Sequence, residues 1–537
     1  MGRAQPHILC FAPYTDWSIH STRQVTILQA LRRRGCTVSY VTCDGAFSDC
    51  DLLQEFTGAP AKRPAHACLI CQANVATKLA AWGMPYAWLG RYARSEDPRR
   101  AGEWVARLDP SDYTEARYQD WPIGEWIRSS VYTHLRVNTV DLGDQRARTS
   151  FGSYLYSGLL AAFALERLFD EEKPDAQLLF NGRMGPTRIA LEFAKRRGIR
   201  SIVEERAVLP GRLMLYDNES CLGLDGVDRL WAAWRDQPLT ETEIAEIGAV
   251  LEDRWRGRAT DVSVFSRGLG DSDIRAALGF DPAKPLWALF TSSIDESADV
   301  PRIDSPYRTQ EDWILATVEA VRSRPDVKLA IRVHPNAGSA KSLGRSAGDA
   351  AFFAALAPRL PSNARLIASD STLSSYALAA TADLGMVWYS SIGLEMAAMG
   401  KPVVRAASYW LGNCDFIPAL SGAATLAADL ERYGGRTDAA AQRAIAVPAW
   451  RFAHMWYLRQ SIPFPLVRQP KWFVGEMAWS SPAELEPGRE ENLDRICDMF
   501  MHGRAVHDPP GGRESPATGR ESQLIWDRLA AAIGQQT

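Results

Sequence analysis

The chain has 537 residues, 46% of them hydrophobic and 23% charged, and its 61 basic and 64 acidic side chains give a formal net charge of −3. These proportions are typical of a globular protein, and at roughly 150 residues per domain the length predicts two to four domains, which we interpret as two large ones. The near-neutral charge excludes the positive surface that non-specific binding to DNA or RNA requires, so we predict no nucleic acid partner.

The N-terminal stretch, MGRAQPHILCFAP, has a proline and a histidine before a short apolar run and lacks the longer apolar region of a secretion signal. The most apolar helical stretch, SGLLAAFALERLF, is far shorter than the roughly 20 residues that span a bilayer. We therefore expect a cytoplasmic protein, and peripheral association with the inner membrane face is compatible with the sequence.

Strands and helices alternate in the first part of the chain. A predicted strand over 7–13 is followed by an amphipathic helix over 21–36, capped by Ser21, and by the strand TVSYVTCDG. The alternation resumes with a helix over 155–171 and then DAQLLFNGR, PTRIALEFAKRRG and IRSIVEER as strand, helix and strand. This pattern predicts a parallel sheet covered by helices, which we assign to a first α/β domain over 1–250.

Four of the nine cysteines lie close together in sequence, in the pattern C-x6-C-x17-C-x2-C. These are Cys43, Cys50, Cys68 and Cys71. The spacing of the last pair suits tetrahedral ligation of zinc by thiolates. Two interpretations stay open, a structural zinc site and a set of buried or merely reduced thiols.

Residues 238–257 predict a charged helix whose Thr-x-x-Glu start resembles a capping box, and we place the approach to a domain boundary there. We predict a second domain over 258–450 and an irregular, partly helical extension over 451–537. The polar Pro/Gly/Ser stretch over 507–522 predicts a flexible linker within that extension.

The second domain shows the same alternation. The predicted strands are PLWALFTSS, VKLAIRVHP, ARLIASD, LGMVWYSS and KPVVRAA, with short helices between them. Repeated strand-helix units predict a doubly wound sheet, in which ligands bind beyond the carboxyl ends of the strands. Polar residues follow three of these strands, so we expect them to line one crevice. They are Thr291, Ser292 and Ser293, then His334, Pro335 and Asn336, then Ser390, Ser391 and Gly393.

The last of these strand ends has the chemistry of an anion site. A helix N-terminus presents unpaired N–H groups and about half a positive charge, so a strand-Ser-Ser-x-Gly-helix turn can hold a phosphate without a metal. Gly393 allows close approach of the backbone, Glu395 suits the hydroxyl groups of a ribose, and His334 can donate to a phosphate oxygen. The alternatives are an ordinary helix cap for the serines and a carboxylate that complements the helix dipole for Glu395.

The segments LAIRVHPN and YSSIGLEMAAMGKPVV resemble the donor-binding half of bacterial capsule polysaccharide biosynthesis glycosyltransferases, the group that includes Kdo transferases. The His-Pro and Ser-Ser pairing is also similar to motifs of bacterial sialyltransferases. The match covers residues 285–410, and the Gln-Pro-Glu signature of the capsular β-Kdo transferases is absent from the sequence.

This resemblance implies the GT-B fold, with two Rossmann-like doubly wound domains that face each other across a cleft. It implies that His334, Ser390 and Ser391 contact the phosphate of a nucleotide-sugar and Glu395 its ribose. It favours a CMP-sugar as donor and implies a glycan or lipid-linked glycan as acceptor. No cofactor is required for such catalysis.

Direct transfer of a sugar needs a base for the acceptor hydroxyl, and the resemblance places this base in the first domain. Asp16 and His20, which we expect in the loop after the first strand, are the preferred candidates, and Glu204 and Glu205 are the second choice. Arg183, in the NGR turn, is a candidate contact for an acceptor anion or an ordinary surface charge.

The predicted function is therefore a metal-independent glycosyltransferase acting on a surface polysaccharide or glycoconjugate. A nucleotide-sugar 2-epimerase would need a similar anion site and paired carboxylates. A non-catalytic scaffold of a carbohydrate pathway, with a degenerate donor site, is the third hypothesis.

Overall fold

The computed structural model describes residues 5–47, 49–52, 65–135, 137, 139–259, 268–269, 273–293, 303–335, 347–435, 437–471, 473–508, 510–511 and 518–533. The chain divides into two compact units. Unit 1 contains Met1–Gly226 and Ser461–His507, and unit 2 contains Val227–Ile294, Val300–Gln460 and Asp508–Thr537.

The strands in chain order are β1 His7–Ala12, β2 Thr37–Thr42, β3 Ala87–Trp88, β4 Ala176–Phe180, β5 Arg200–Arg206, β6 Arg212–Asp217, β7 Leu286–Phe290, β8 Lys328–Arg332, β9 Ala364–Ile367, β10 Leu384–Val387, β11 Val403–Arg405, β12 Ser461–Pro463, β13 Val467–Lys471 and β14 Val474–Met477. The α-helices of unit 1 are Ser18–Arg33, Ala65–Ala81, Asp97–Val105, Ile123–Leu135, Gln145–Glu172, Gly185–Arg196 and Glu491–Met501. Helix Asp225–Trp234 spans the division, and the helices of unit 2 are Glu241–Trp255, Ile274–Ala277, Gln310–Arg322, Ala347–Leu356, Ser375–Thr381, Ile392–Ala398, Leu426–Tyr433, Ala439–His454 and Thr518–Ile533.

Unit 1 is built on a seven-stranded sheet in the order β12-β6-β5-β4-β1-β2-β3. Strands β1 to β5 are parallel, whereas β6 and β12 run antiparallel to their neighbours. Alternate residues of β1 enter two different hydrophobic clusters, one with Leu9 and Phe11 and the other with Ile8 and Cys10. Because both faces are covered, the strand reads as a continuous apolar run in the sequence.

Unit 2 is built on five parallel strands in the order β11-β10-β7-β8-β9. In both units the chain first adds strands on one side of its first strand and then crosses to the other side. The order therefore reverses between β1 and β4 in unit 1 and between β7 and β10 in unit 2, and such switch points are where open α/β sheets bind ligands. The predicted GT-B class, with two Rossmann-like doubly wound sheets in one chain, is confirmed by these strand orders.

The first helix begins earlier than predicted, at Ser18, and its N-cap is Trp17 without a side-chain cap. Ser21 is therefore not the cap, and His20 lies in the first helical turn and not in the loop after β1. The capping box is confirmed for helix Glu241–Trp255, where Thr240 and Glu243 bond each other's backbone N–H groups.

The division of the chain differs from the predicted boundaries. Helix Glu241–Trp255 belongs to unit 2, so the first crossing between units lies near residue 226 and not near 250. The stretch after 450 is not an appended extension, because β12 joins the sheet of unit 1 and helix Thr518–Ile533 packs within unit 2. Within the predicted linker over 507–522, residues 509 and 512–517 lie outside the described residues, and residues 518–522 form the start of helix Thr518–Ile533 and not a linker. Among those that the structure does describe, no helix is long and apolar enough to cross a membrane.

Candidate functional site

The three polar strand ends of unit 2 are brought together by direct hydrogen bonds. The backbone N–H of His334, after β8, donates to Oγ1 of Thr291, after β7, at 2.8 Å. The N–H of Tyr389, after β10, lies 3.5 Å from Oγ of Ser292. Residues that follow three neighbouring parallel strands are thus gathered at the switch point between β7 and β10, as the sequence predicted.

These residues differ in how far they reach solvent. Thr291, Ser292 and Ser293 are buried, while His334, Pro335 and Ser390 are half-buried and Ser391 is exposed. Because Thr291, Ser292 and Ser293 are buried, the residues at these strand ends with surface available to a ligand are His334, Pro335, Ser390 and Ser391. Asn336 lies outside the described residues.

Gly393 serves the packing of the helix that follows the serines. A Cβ at this position would lie 3.0 Å from Cγ2 of Val387, at the end of β10, and 3.6 Å from Cγ1 of Val403 on β11. The missing side chain therefore lets helix Ile392–Ala398 lie directly on the sheet, which is a different requirement from the predicted close approach to an anion.

Glu395 lies in the interior of unit 2 and is 1% exposed. Its Oε1 accepts from Nε of Arg254 at 2.8 Å and from the hydroxyl of Tyr457 at 3.2 Å. The predicted ribose contact stays a prediction, and it would require a sugar hydroxyl to reach a carboxylate that is already ion-paired.

In unit 1, three of the four predicted acid and base residues meet beside the carboxyl end of β5. Nδ1 of His20 lies 3.1 Å from Oε1 of Glu204, and its Nε2 lies 4.0 Å from Oε1 of Glu205. His20 is enclosed by the rings of Trp17 and Phe180, with ring centroids 5.1 and 3.9 Å away. The sequence predicted these residues as alternatives, and the structure makes them one cluster.

Burial shifts the pKa values of the inner pair in opposite directions. Desolvation lowers the pKa of His20 from 6.5 to about 3 and raises the pKa of Glu204 from 4.5 to about 8. At neutral pH the imidazole is therefore uncharged and Glu204 is protonated, so the carboxylic acid can donate to Nδ1 of His20. Gln24 also donates to Oε1 of Glu204, at 3.2 Å.

Glu205 is the member of the cluster that reaches the surface, with a side chain 22% exposed. Its Oε2 accepts from Nδ2 of Asn181 at 2.7 Å. Asn181 has a φ of 64° and is followed by Gly182 at 62°, so the Asn-Gly turn after β4 aims this amide. Asn181 was missed by sequence reasoning, although the Asn-Gly pair after a strand was a readable signal.

The other two predicted residues of unit 1, Asp16 and Arg183, are bound by side chains outside this cluster. Asp16 forms an ion pair with Lys78 at 2.5 Å. Arg183 donates to the hydroxyls of Ser129 and Thr133, on helix Ile123–Leu135. Both side chains are held by neighbours within unit 1.

A second polar group near β1 was not predicted. The hydroxyl of Tyr14 donates to Oδ2 of Asp51 at 2.6 Å, and Tyr154 lies 3.4 Å from the other carboxylate oxygen. Burial raises the pKa of Asp51. Its stretch, SDCDLL, carries no motif that would have identified it.

The described residues do not form the predicted zinc site. Cys43, Cys50, Cys68 and Cys71 are all described, yet no three His, Cys, Asp or Glu residues in the described part of the chain are placed to hold a metal ion. Burial raises the pKa of Cys71 to about 12, so in the absence of a metal this residue is a thiol at neutral pH.

No protein-family model and no curated protein matches the sequence. Solved structures to which the chain is similar include several glycosyltransferases. One is KpsC from Thermosulfurimonas dismutans, a β-Kdo 2,4 transferase, with 13% identity, a TM-score of 0.34 and coverage of 60% of this chain and 87% of that one.

Another is CalG4, the calicheamicin glycosyltransferase, with 14% identity, a TM-score of 0.25 and coverage of 83% and 94%. A putative UDP-N-acetylglucosamine 2-epimerase from Listeria monocytogenes has 10% identity, a TM-score of 0.28 and coverage of 94% and 98%. Because these scores and identities are low, the fold assignment rests on the strand orders of the two sheets.

Proposed function

We propose that the protein is a glycosyltransferase that moves a sugar from a nucleotide-activated donor to a surface polysaccharide or glycoconjugate. The observation that carries this proposal is that His334 and the Ser390–Ser391 pair follow strands β8 and β10, whose ends are joined to the end of β7 by hydrogen bonds at the switch point of unit 2. Hydroxyl and imidazole donors beside a helix start suit the phosphate of a nucleotide, and none of them requires a metal.

The residues of the proposed donor site have different roles. His334 donates to a phosphate oxygen and stabilises the departing nucleotide, while Ser390 and Ser391 bind the phosphate beside the helix start. The buried hydroxyl of Ser292 supports the serine pair through the backbone N–H of Tyr389, the residue before Ser390. A CMP-sugar is the favoured donor because of the sequence resemblance.

The cluster around His20 in unit 1 supplies the base. As the acceptor oxygen forms its bond to the anomeric carbon, its proton passes to the base, and the bond from that carbon to the phosphate oxygen breaks with the electron pair leaving on the nucleotide. Glu205 is the preferred group, because its side chain is 22% exposed whereas Glu204 and His20 are buried. The acceptor is a glycan or lipid-linked glycan, which suits peripheral binding at a membrane.

A nucleotide screen tests the donor site. Thermal unfolding is measured with CMP, UDP, GDP and CDP, and a ligand at 100 times its Kd stabilises the native state by about 2.7 kcal/mol. We expect at least one nucleotide to raise the melting temperature and His334→Ala to abolish the rise. If no nucleotide stabilises the wild-type protein, the proposal is wrong.

Product formation separates the enzyme classes. A transferase consumes the nucleotide-sugar only when an acceptor is present, whereas a 2-epimerase interconverts free nucleotide-sugars. A scaffold would do neither, and its biological function would survive His334→Ala.

A further inference from the structure

Glu395 is enclosed by donors from three other elements of unit 2. Arg254 comes from helix Glu241–Trp255, and Tyr457 from the π-helical turn Met455–Arg459. Tyr376, from helix Ser375–Thr381, also hydrogen-bonds the carboxylate. We call these four residues the Glu395 network. Their exposures, at 1 to 3%, show that it is closed to solvent.

The charges within this network are balanced locally. The guanidinium carbon of Arg254 lies 5.0 Å from the ring centroid of Tyr457, so the cation is shared between the Glu395 carboxylate and an aromatic face. Removing one partner of a buried ion pair is strongly destabilising, because the remaining charge is neither neutralised nor solvated by water. The carboxylate therefore holds its own helix to three other elements.

The opposite side of the same helix is fixed by close packing. A Cβ at Gly385, on β10, would lie 2.4 Å from Sδ of Met396, and Gly393 makes the similar close approach to Val387 described above. Helix Ile392–Ala398 is thus held between the sheet and the Glu395 network. The residues that precede it directly are Ser390 and Ser391, so a shift of the helix moves the serine pair.

We propose that Glu395 is a positioning residue of the donor site, which acts through the placement of helix Ile392–Ala398 and not by contact with a ribose. This inference rests on the proposed function, because the property it controls is the binding of a nucleotide phosphate at Ser390 and Ser391. It differs from the predicted ribose contact in one measurable respect. A positioning residue affects every ligand that carries the phosphate, whether or not the sugar has hydroxyls.

The test compares the nucleotide that binds best among CMP, UDP, GDP and CDP with its 2′,3′-dideoxy form. We expect Glu395→Gln to weaken both by the same factor, about tenfold. We also expect it to shift the phosphorus NMR signal of the bound nucleotide. A ribose contact would instead make the variant weaken only the ribonucleotide. Affinities are measured well below the melting temperature, so that a lower stability alone does not change them.

A milder variant covers the case in which Glu395→Gln does not fold. Tyr457→Phe removes one hydroxyl from the network and should weaken both ligands by about threefold. The control is Glu319→Gln, a carboxylate 73% exposed and paired with Arg322 at 3.0 Å on a surface helix of the same unit, and it should change neither affinity.

The outcomes are distinct. Equal losses for both ligands support the inference. A loss confined to the ribonucleotide, or a lower melting temperature with unchanged affinities, overturns it while the donor site stands. If the wild-type protein binds none of the four nucleotides, the proposed function fails and this inference fails with it.

Discussion

At neutral pH Glu204 is protonated, unlike an ordinary glutamate, and His20 is uncharged, and their shifted pKa values give the pair a distinctive pH dependence. The unfolded chain protonates His20 below pH 6.5, whereas the folded protein resists down to about pH 3, so this group costs stability as the pH falls below 6.5. Glu204 has the opposite sign. Its folded pKa of about 8 exceeds the ordinary 4.5, so its contribution is present below pH 4.5 and is lost as the pH rises towards 8.

Glu204→Gln should therefore change the pH profile of stability in a defined direction. The amide mimics the protonated acid and does not titrate. The stability of the variant relative to the wild type should therefore increase between about pH 5 and about pH 8.5. Melting temperatures at the two pH values measure this effect. The matched control, Glu103→Gln, alters an exposed carboxylate of unit 1 that is paired with Arg99, and its difference from the wild type should not depend on pH in this way. A constant difference for Glu204→Gln would contradict the assigned shift.

Thr291→Val tests the bond that holds the His334 backbone. Valine keeps the shape but leaves the His334 N–H without its acceptor, which should cost about 1 to 3 kcal/mol of folding free energy. Because His334 is the proposed phosphate contact, nucleotide affinity should fall as well. Thr291→Ser keeps a hydroxyl and should retain most of both properties. Urea unfolding and nucleotide titration measure them, and equal behaviour of the two variants would show that this bond has no such role.

The polar residues at the strand ends could be predicted from the sequence, but their hydrogen-bond and ion-pair partners could not. The hydroxyls and the imidazole of the proposed donor site follow apolar runs that are easy to recognise in the sequence. Glu395 lies in an equally readable position, but its partner Arg254 is 141 residues away in sequence. No local pattern shows that a distant arginine neutralises this carboxylate, so the sequence suggested a ligand contact where the structure has a buried ion pair.

Among the elements, the parallel strands were the most predictable. Strands β7 to β11 are short and mainly apolar runs, which is the pattern of a strand buried on both faces. The antiparallel strands β12 and β13 contain Pro463 and Pro470, and proline argues against a strand in any sequence reading. Their positions come from tertiary contacts that outweigh this local preference.

Gly393→Ala tests whether helix Ile392–Ala398 must lie directly on the sheet. The added methyl would lie 3.0 Å from Cγ2 of Val387, and overpacking of this kind costs typically about 1 to 3 kcal/mol. The control is Gly435→Ala, at a glycine with no atom within 4 Å of the added methyl. We expect urea unfolding to show a loss for Gly393→Ala only. Val387→Ala in the same chain should recover part of the loss, and no recovery would argue against the predicted clash.

Within the whole molecule, the end of the chain contributes to both units. Ser461 pairs with Met214 in the sheet of unit 1, although the two residues are 247 positions apart, and helix Thr518–Ile533 then packs in unit 2. The sequence reading placed the boundary where composition changed. It could not assign the last 80 or so residues, because strand pairing over such separations leaves no periodic signal.

Glu521 on helix Thr518–Ile533 tests how much unit 2 depends on this returning segment. It is fully buried, binds both Nε and Nη2 of Arg451, at 2.9 and 2.5 Å, and accepts the N–H of Leu239 at 2.8 Å. Glu521→Gln leaves the Arg451 cation without its counter-charge and should lower the unfolding free energy by about 3 kcal/mol. The control on the same helix is Asp527→Asn, which alters an exposed carboxylate and should change stability by less than about 0.5 kcal/mol.

Ending the chain at His507 removes this helix entirely while leaving the assigned residues of unit 1 in place. Helix Thr518–Ile533 packs on Glu241–Trp255 and Ala439–His454, so unit 2 should lose stability selectively. Limited proteolysis followed by mass spectrometry shows which unit is cut first. Earlier cleavage within 227–460 is expected for the shortened chain and, to a smaller degree, for Glu521→Gln. Two results would contradict this prediction: unit 1 is cut first, or both variants are cut as the wild type is. Either would show that helix Thr518–Ile533 does not stabilise unit 2.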